Sequence, residues 1–308
     1  MPNYNCIAVL GTTASGKTNL ACNLAYHLNG EIISADSRQV YKYLNIGAGK
    51  DLDEYVVNSQ KINHNLIDIC EPDEQFFLHQ FCEQLQIAFN KIIERNKLPI
   101  ICGGTGLYID ALHKDFSFTQ IKENQDLRKL LEQKTKQELQ AQIQLFPNEL
   151  VGHVDLNSKK RLIRGVEVAD YLIKNSNYIK KIELPYKPLY IGIKTNVEER
   201  KELIRKRLIY RLDNGLIEEV QNLLQKGITS ERLQFLGLEY KFVSLYINGY
   251  LTKHQLKEQL QIAIFQFSKR QQTWFNKLEK EGIKINWIDR NYKLQDVLNL
   301  FVPKIGFK

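Results

Sequence analysis

Apolar residues follow two rhythms along this chain. Short, mostly apolar runs occupy residues 6–10, 31–35, 66–70 and 98–102. They stop respectively at Gly11, Asp36-Ser37, Glu71-Pro72 and Gly103-Gly104, as buried strands do at turns. Between them, residues 18–28 and 76–95 repeat their apolar positions with helical period. Strands alternating with helices predict βαβ units and a parallel sheet. The middle differs. Residues 120–144 are rich in Gln, Lys, Glu and Leu, with no strand pattern, and residues 157–175 predict another helix with basic residues near its start. Together they predict a helical insertion. Residues 189–193 (Leu-Tyr-Ile-Gly-Ile) return a strand to the sheet. Helices then dominate over residues 197–225, 231–248 and 252–281, before a last strand at 283–288. The expected organisation is a core from 1–114, an insertion from 115–188 and the rest of the core from 189–308.

Composition narrows the classes. The chain has 308 residues, 43% hydrophobic and 25% charged, enough to bury a core and unlike a disordered chain. Forty-three Lys and Arg against 35 Asp and Glu leave +8, which fits a polyanionic partner. No apolar run approaches the roughly 18 residues of a membrane span, so no membrane partner is expected. No secretory leader is expected either, because a loop motif already begins at Gly11. Cys6, Cys22, Cys70, Cys82 and Cys102 are scattered, without C-x-x-C spacing. They read as reduced core thiols of a cytoplasmic protein. His27, His64, His79, His113, His153 and His254 form no ligand pattern.

The strongest local signal is Gly11-Thr12-Thr13-Ala14-Ser15-Gly16-Lys17-Thr18, a G-x-x-x-x-G-K-[ST] loop between a strand and a helix. Its glycines allow a tight turn whose amides converge on phosphate oxygens, and the helix start adds partial positive charge. Lys17 would neutralise phosphate, and the Thr18 hydroxyl can ligate Mg²⁺. A second carboxylate for Mg²⁺ would normally end a neighbouring strand, where Asp36 and Asp68 are candidates. The run at 98–102 ends instead in Gly103-Gly104-Thr105-Gly106, without an acid, which argues against a plain ATPase.

With the phosphate loop, Ser34-Ala35-Asp36-Ser37-Arg38-Gln39-Val40-Tyr41 and Gly103-Gly104-Thr105-Gly106-Leu107-Tyr108 resemble the tRNA dimethylallyltransferases, also called tRNA isopentenyltransferases. Lys160-Arg161-Leu162-Ile163-Arg164-Gly165-Val166-Glu167-Val168, Gly215-Leu216-Ile217-Glu218-Glu219-Val220 and Lys269-Arg270-Gln271-Gln272-Thr273-Trp274-Phe275 resemble later segments of that family. The resemblance runs over residues 6–287. It implies a P-loop-kinase-like α/β fold, a parallel sheet flanked by helices with a helical insertion domain. It also implies transfer of a dimethylallyl group from dimethylallyl diphosphate to N6 of adenosine 37, beside the tRNA anticodon. Diphosphate is released, and Mg²⁺ but not ATP is needed.

Adenine N6 is a weak nucleophile and must lose a proton. Asp36, ending a strand beside the phosphate loop, is expected to accept it; the alternatives are a turn cap or a water-mediated Mg²⁺ ligand. Leaving-group donors are the loop, residues Gly11, Thr12, Thr13, Ala14, Ser15, Gly16, Lys17 and Thr18. The resemblance adds the Thr13 hydroxyl on the bridging oxygen and an arginine from the later helix: Arg207 first, Arg211 second, each alternatively part of a solvated face. It also assigns Ser37, Arg38, Gln39 and Thr105 to the flipped base and its channel. Lys160, Arg161 and Arg164 would grip the anticodon stem-loop backbone, Arg161 and Arg164 from one helix face, and Lys269 and Arg270 would add to that hold. The insertion would clamp the anticodon stem or serve only as a water-excluding lid. Trp274 and Phe275 either stack on bases or belong to the core. A monomer is expected.

Several residues depart from the family pattern. Thr12 replaces proline at a position expected to face solvent. Gly165 replaces alanine, at about 1 kcal/mol of helix propensity. Asn276 replaces arginine, and Leu236-Gly237-Leu238-Glu239 replaces Ile-Gly-Tyr-Lys. Competing readings are a P-loop nucleotide kinase or ATPase, an adenylate isopentenyltransferase acting on free nucleotide, and a non-catalytic RNA-binding protein. The insertion and the basic tail favour tRNA.

Overall fold

The computed structural model describes residues 4–152, 154–175 and 184–305. His153 lies outside them. The chain divides into two compact units, residues 1–113 with 185–308, and residues 114–184.

The first unit is built on a six-stranded sheet. Its strands are β1 (Cys6–Gly11), β2 (Gly30–Ala35), β5 (His64–Asn65), β6 (Leu98–Gly103), β7 (Pro188–Lys194) and β8 (Ile285–Asp289), while β3 (Val56–Val57) and β4 (Gln60–Lys61) form a separate hairpin. The order is β5-β2-β6-β1-β7-β8, with every pairing in this sheet parallel. Every residue of β1 and β6 is buried, so both read as continuous apolar runs rather than alternating ones. One face is filled by α1 (Lys17–His27) through Leu20, Ala21, Leu24 and Ala25. Parallel strands place all their carboxyl ends on one edge. Gly11, Asp36 and Gly104 therefore meet there, where α/β sheets bind ligands.

Amphipathic α2 (Leu78–Glu94) connects to β6, and short α3 (Gly106–Asp110) follows it. After β7 come α8 (Val197–Asp213), α9 (Leu216–Gln225), α10 (Ser230–Leu236), α11 (Leu238–Ile247) and α12 (Lys253–Lys280), then α13 (Leu294–Phe301) after β8. Ile204, Leu208, Leu216, Val220, Leu233, Tyr240 and Leu260 form a second core among these helices. Thr252 caps α12 by accepting the Gln255 N–H, which fixes the start of this 28-residue helix.

The second unit carries α4 (Gln125–Glu132), α5 (Lys136–Ile143), α6 (Asn148–Val151) and α7 (Lys159–Lys174), packed through Leu131, Leu139, Ile143, Leu162 and Val166. Glu167, 3% exposed, is held by the Arg128 guanidinium, with Nε at 3.0 Å and Nη2 at 2.5 Å. A Cβ at Gly165 would lie 2.7 Å from Ile143 Cδ1 and 2.8 Å from Val154 Cγ2. Glycine there is a packing requirement, not only a loss of helix propensity.

Four expectations need correction. Residues 66–70 are not a strand: Leu66 and Asp68 have φ of 64° and 57°, and the edge strand is the preceding His64–Asn65. Leu66, Ile67 and Cys70 are apolar because their loop packs inward. The helix expected over 197–225 breaks at Gly215, φ 99°, and that over 231–248 breaks at Gly237, φ 156°. Residues 185–188 belong with the core, Pro188 opening β7. Among the cysteines Cys6, Cys22, Cys70 and Cys102 are buried and Cys82 is half-buried, all as free thiols. Among the described residues no helix is long and apolar enough to cross a membrane.

Candidate active site

A cleft of about 770 Å³ opens at the carboxyl edge of the sheet. Its floor is the phosphate loop. Ala14 and Gly16 adopt left-handed backbone, φ 64° and 88°, and Ser15 N–H donates to Thr12 O at 3.2 Å. Gly16 caps α1 with no side-chain bond, which leaves the first-turn amides without a side-chain acceptor. Thr12 is 2% exposed, contrary to the solvent-facing position expected, and its Oγ1 and Ser15 Oγ are buried without a hydrogen-bond partner. The loop bends back on itself and carries both hydroxyls inward.

Thr13, Ala14, Gly16, Lys17 and Thr18 line the cleft, while Gly11 lies beneath it as the last residue of β1. Burial lowers the pKa of Lys17, against the opposing fields of Cys102 and Asp36. Arg207, on α8, reaches across and donates from Nη2 to Thr13 Oγ1. Burial, then the neighbouring Arg211, lowers its pKa to about 10. Lys17 and Arg207, both half-buried and facing the same cleft, make this end of it a place for a dense negative charge. Arg211 is 5% exposed and paired with Asp51 Oδ2 at 3.2 Å, with Glu239 4.0 Å away.

The opposite wall starts from Asp36. Its Oδ1 accepts Arg38 N–H at 2.9 Å, so one oxygen holds the turn. Ser37 N–H donates to Thr105 Oγ1 at 3.1 Å, and Thr105 N–H to Ala35 O at 3.3 Å, tying the ends of β2 and β6 together. Gln39 lines the same cleft, yet its amide is engaged: Oε1 accepts from Ser34 Oγ at 2.7 Å, and Nε2 donates to Gly49 O at 2.8 Å. Trp274 forms a side of the cleft, its Nε1 donating to Asp110 Oδ1 at 3.1 Å. Phe275 is fully buried and belongs to the core.

The other basic candidates separate. Arg270 lines the cleft and lies 5.8 Å from the Phe267 ring, whereas Lys269 packs 4.9 Å from Phe265 and is not among the lining residues. Lys160, Arg161 and Arg164 belong to the 114–184 unit. Lys160 is exposed, and Arg161 reaches Asp155 at 2.7 Å. Arg164 turns inward to Ile121 O at 2.6 Å, with Glu167 3.7 Å away. Arg161 and Arg164 therefore do not share an outward face; buried Glu167 draws the second guanidinium in. Asp68, weighed as a metal ligand, pairs at 2.5 Å with Lys50, which is 1% exposed.

Glu54 and Asp51, absent from the sequence candidates, line the cleft, as do Glu239 and Gln271, which stand in segments compared with the family but carry no expected role. Burial, then Asp51, raises the pKa of Glu54. The single-turn helix Leu52–Tyr55 carrying it has no periodic signal; only Gly47 and Gly49 beside it mark a loop. Among the described residues no cluster of three or more His, Cys, Asp or Glu could hold a metal by itself.

Comparison with known proteins agrees with this geometry. The family model for IPP transferase matches residues 39–278. The chain is 40% identical over 306 residues to tRNA dimethylallyltransferase 2 of Bacteroides fragilis, covering 99% of each. It is 43% identical over 288 residues to tRNA dimethylallyltransferase 2 of Shewanella sediminis, covering 94% of each. Among solved structures, tRNA delta(2)-isopentenylpyrophosphate transferase of Staphylococcus epidermidis aligns with TM-score 0.67 and 31% identity over 97% of each chain. A eukaryotic dimethylallyltransferase acting on tRNA shares the fold, with TM-score 0.80 and 22% identity over 98% of this chain and 80% of that one. The chain is a member of the IPP transferase family, the tRNA dimethylallyltransferases.

Proposed function

We propose that the protein transfers a dimethylallyl group from dimethylallyl diphosphate to N6 of adenosine 37, next to the anticodon of tRNA. The single observation that carries this is one cleft in which a cationic phosphate loop, with Lys17, Arg207 and Thr13, faces Asp36 across a space large enough for an allylic chain and a base. The diphosphate lies in the loop against the amides of residues 14–18 and Lys17. Negative charge grows on its bridging oxygen as the C1–O bond breaks, and donors already aimed there need no reorganisation. Thr13 and Arg207 are those donors, with Arg211 holding the local field from behind.

Mg²⁺ fits the donor set. It keeps several waters and needs one or two protein oxygens beside phosphate. The Thr18 hydroxyl would hold it, with Asp36 or Glu54 reaching through water. When bound, Mg²⁺ would offset charge on the departing diphosphate.

Adenosine 37 must leave the anticodon loop to reach Asp36, at a cost of a few kcal/mol. Ser37, Arg38, Gln39 and Thr105 line its path, and Arg270 lies beside it. Lys160 and Arg161, both exposed, would meet backbone phosphate, Arg161 by exchanging its Asp155 partner, as would Lys269, while Arg164 supports the helix that carries the first two. Asp36 takes the N6 proton as the N6–C1 bond forms. Walls of Trp274, Leu107 and Phe267 keep water from the allylic carbon. The same reading has the protein act as a monomer in the cytoplasm, where tRNA is its partner.

The test is incubation with radiolabelled dimethylallyl diphosphate, Mg²⁺ and unmodified tRNA carrying adenosine 37. Label in tRNA is expected, and none when that adenosine is guanosine. Label in AMP instead, or ATP hydrolysis without tRNA, would overturn the reading.

A further inference from the structure

One side chain joins the two walls of the cleft. Gln271 lies on α12 and is 6% exposed. Its Oε1 accepts Thr13 N–H at 2.8 Å, and its Nε2 donates to Gly104 O at 3.0 Å. The backbone is fitted to it: a Cβ on Gly104 would overlap Gln271 Nε2 and lie 3.2 Å from Gly11 O. Thr105, next along, accepts Ser37 N–H through Oγ1 at 3.1 Å. A chain of short bonds thus runs from Thr13, the residue beneath Arg207, through Gln271 to Ser37, which follows Asp36.

We infer that Gln271 is a positioning residue for prenyl transfer, holding the leaving-group donors and the proton acceptor at a fixed separation. This rests on the transferase reading. In that reaction the N6–C1 bond forms while C1–O breaks, the electron pair leaves on diphosphate, and the N6 proton passes to Asp36. The reacting atoms must meet in line at about 3–3.5 Å, so a loop displaced by an ångström slows chemistry while leaving ligands bound. The Thr13 amide is already taken by Gln271, so diphosphate draws its hydrogen bonds from the other loop amides. Gln271 therefore contributes to alignment and little to affinity, which separates it from a residue that merely holds the fold.

Gln271→Met keeps the unbranched length and removes both bonds. Gln271→Asn keeps the amide but is one methylene too short to reach both loops, and it carries the test alone should the methionine variant not fold. Steady-state tRNA labelling with both substrates varied, and titration with inorganic pyrophosphate, read the effect. Expected for the methionine variant is a kcat about 100-fold below wild type with both KM values and pyrophosphate affinity within about threefold; the asparagine variant should lose at least about tenfold in kcat. Wild-type kcat in the methionine variant, or a loss confined to KM or pyrophosphate binding, would overturn the inference. Failure of the unaltered protein to label tRNA would instead overturn the transferase reading, and the inference with it.

Discussion

Replacing Glu219 with glutamine should unfasten the loop that walls the cleft at residues 47–49. Glu219 stands on α9, and its carboxylate collects four donors. Oε2 accepts Asn45 N–H at 3.0 Å and Ile46 N–H at 2.7 Å; Oε1 accepts Gly47 N–H at 3.0 Å and the Tyr240 hydroxyl at 2.8 Å. Tyr240, fully buried, passes the hold onward by accepting Ala48 N–H at 2.9 Å. Glutamine has one acceptor oxygen, so either orientation turns an NH₂ group toward two of the four donors. The Tyr240 hydroxyl can rotate to accept and the exposed Asn45 amide can turn to water, but one backbone amide, Gly47 or Ile46, is orphaned either way at about 1–3 kcal/mol, and the remaining bonds lose their charge assistance, so the total is about 2–4 kcal/mol. At about 2–4 °C per kcal/mol for a domain of this size, the midpoint should fall by roughly 10 °C. Urea unfolding followed by circular dichroism, with a thermal melt, measures both. Gly47, Ala48 and Gly49 also line the cleft, so the KM for tRNA should rise in the folded variant. Tyr240→Phe removes one donor and orphans the Ala48 amide, and its effect should be far from additive with Glu219→Gln, because the two share one network. A loss under about 1 kcal/mol for Glu219→Gln would refute the reasoning, since it would mean that water or backbone relaxation satisfies these amides.

Asp36→Asn should slow single-turnover prenylation by about 10²–10⁴-fold with dimethylallyl diphosphate affinity nearly unchanged; a loss under tenfold would leave Asp36 only its turn-holding bond to Arg38 N–H. Burial holds Lys17 below its ordinary pKa, and a bound diphosphate should raise it, so binding at alkaline pH should take up protons. Calorimetry in buffers of different ionisation enthalpy reads this, and proton release would contradict it. Burial would raise the pKa of Glu31, but hydrogen bonds from Lys97, Arg95 and Asn63 outweigh it and hold the carboxyl low. A depressed carboxylate contributes stability above its ordinary pKa, and that share is lost as pH falls through the folded value. Wild-type stability should therefore decline as pH falls below 4.5 more steeply than that of Glu31→Gln; parallel curves would exclude the contribution.

What could be read from sequence, and what could not, follows from how each feature is encoded. The phosphate loop is legible because consecutive amides and a lysine at fixed spacing are its chemistry. Asp36 is legible because it ends a mostly apolar strand, whereas Thr105 enters only through the family resemblance. Inference failed where burial and secondary structure part company. Residues 66–70 are apolar because a loop with two left-handed residues packs inward, and apolarity alone does not distinguish that from a strand. Thr12 carries its hydroxyl into the protein although this position of such loops is expected to face solvent. Arg164 has the spacing of a second phosphate contact, but Glu167 and a carbonyl at Ile121 compete for it; the first is an i,i+3 neighbour whose burial the sequence does not announce, and the second lies 43 positions away. Hardest of all are residues whose role exists only once distant segments meet. Gln271 stood inside a motif that was read for its basic and aromatic members. Its two partners are 258 and 167 positions away, so nothing local distinguishes its amide from that of Gln272, which faces Asn276 on the same helix.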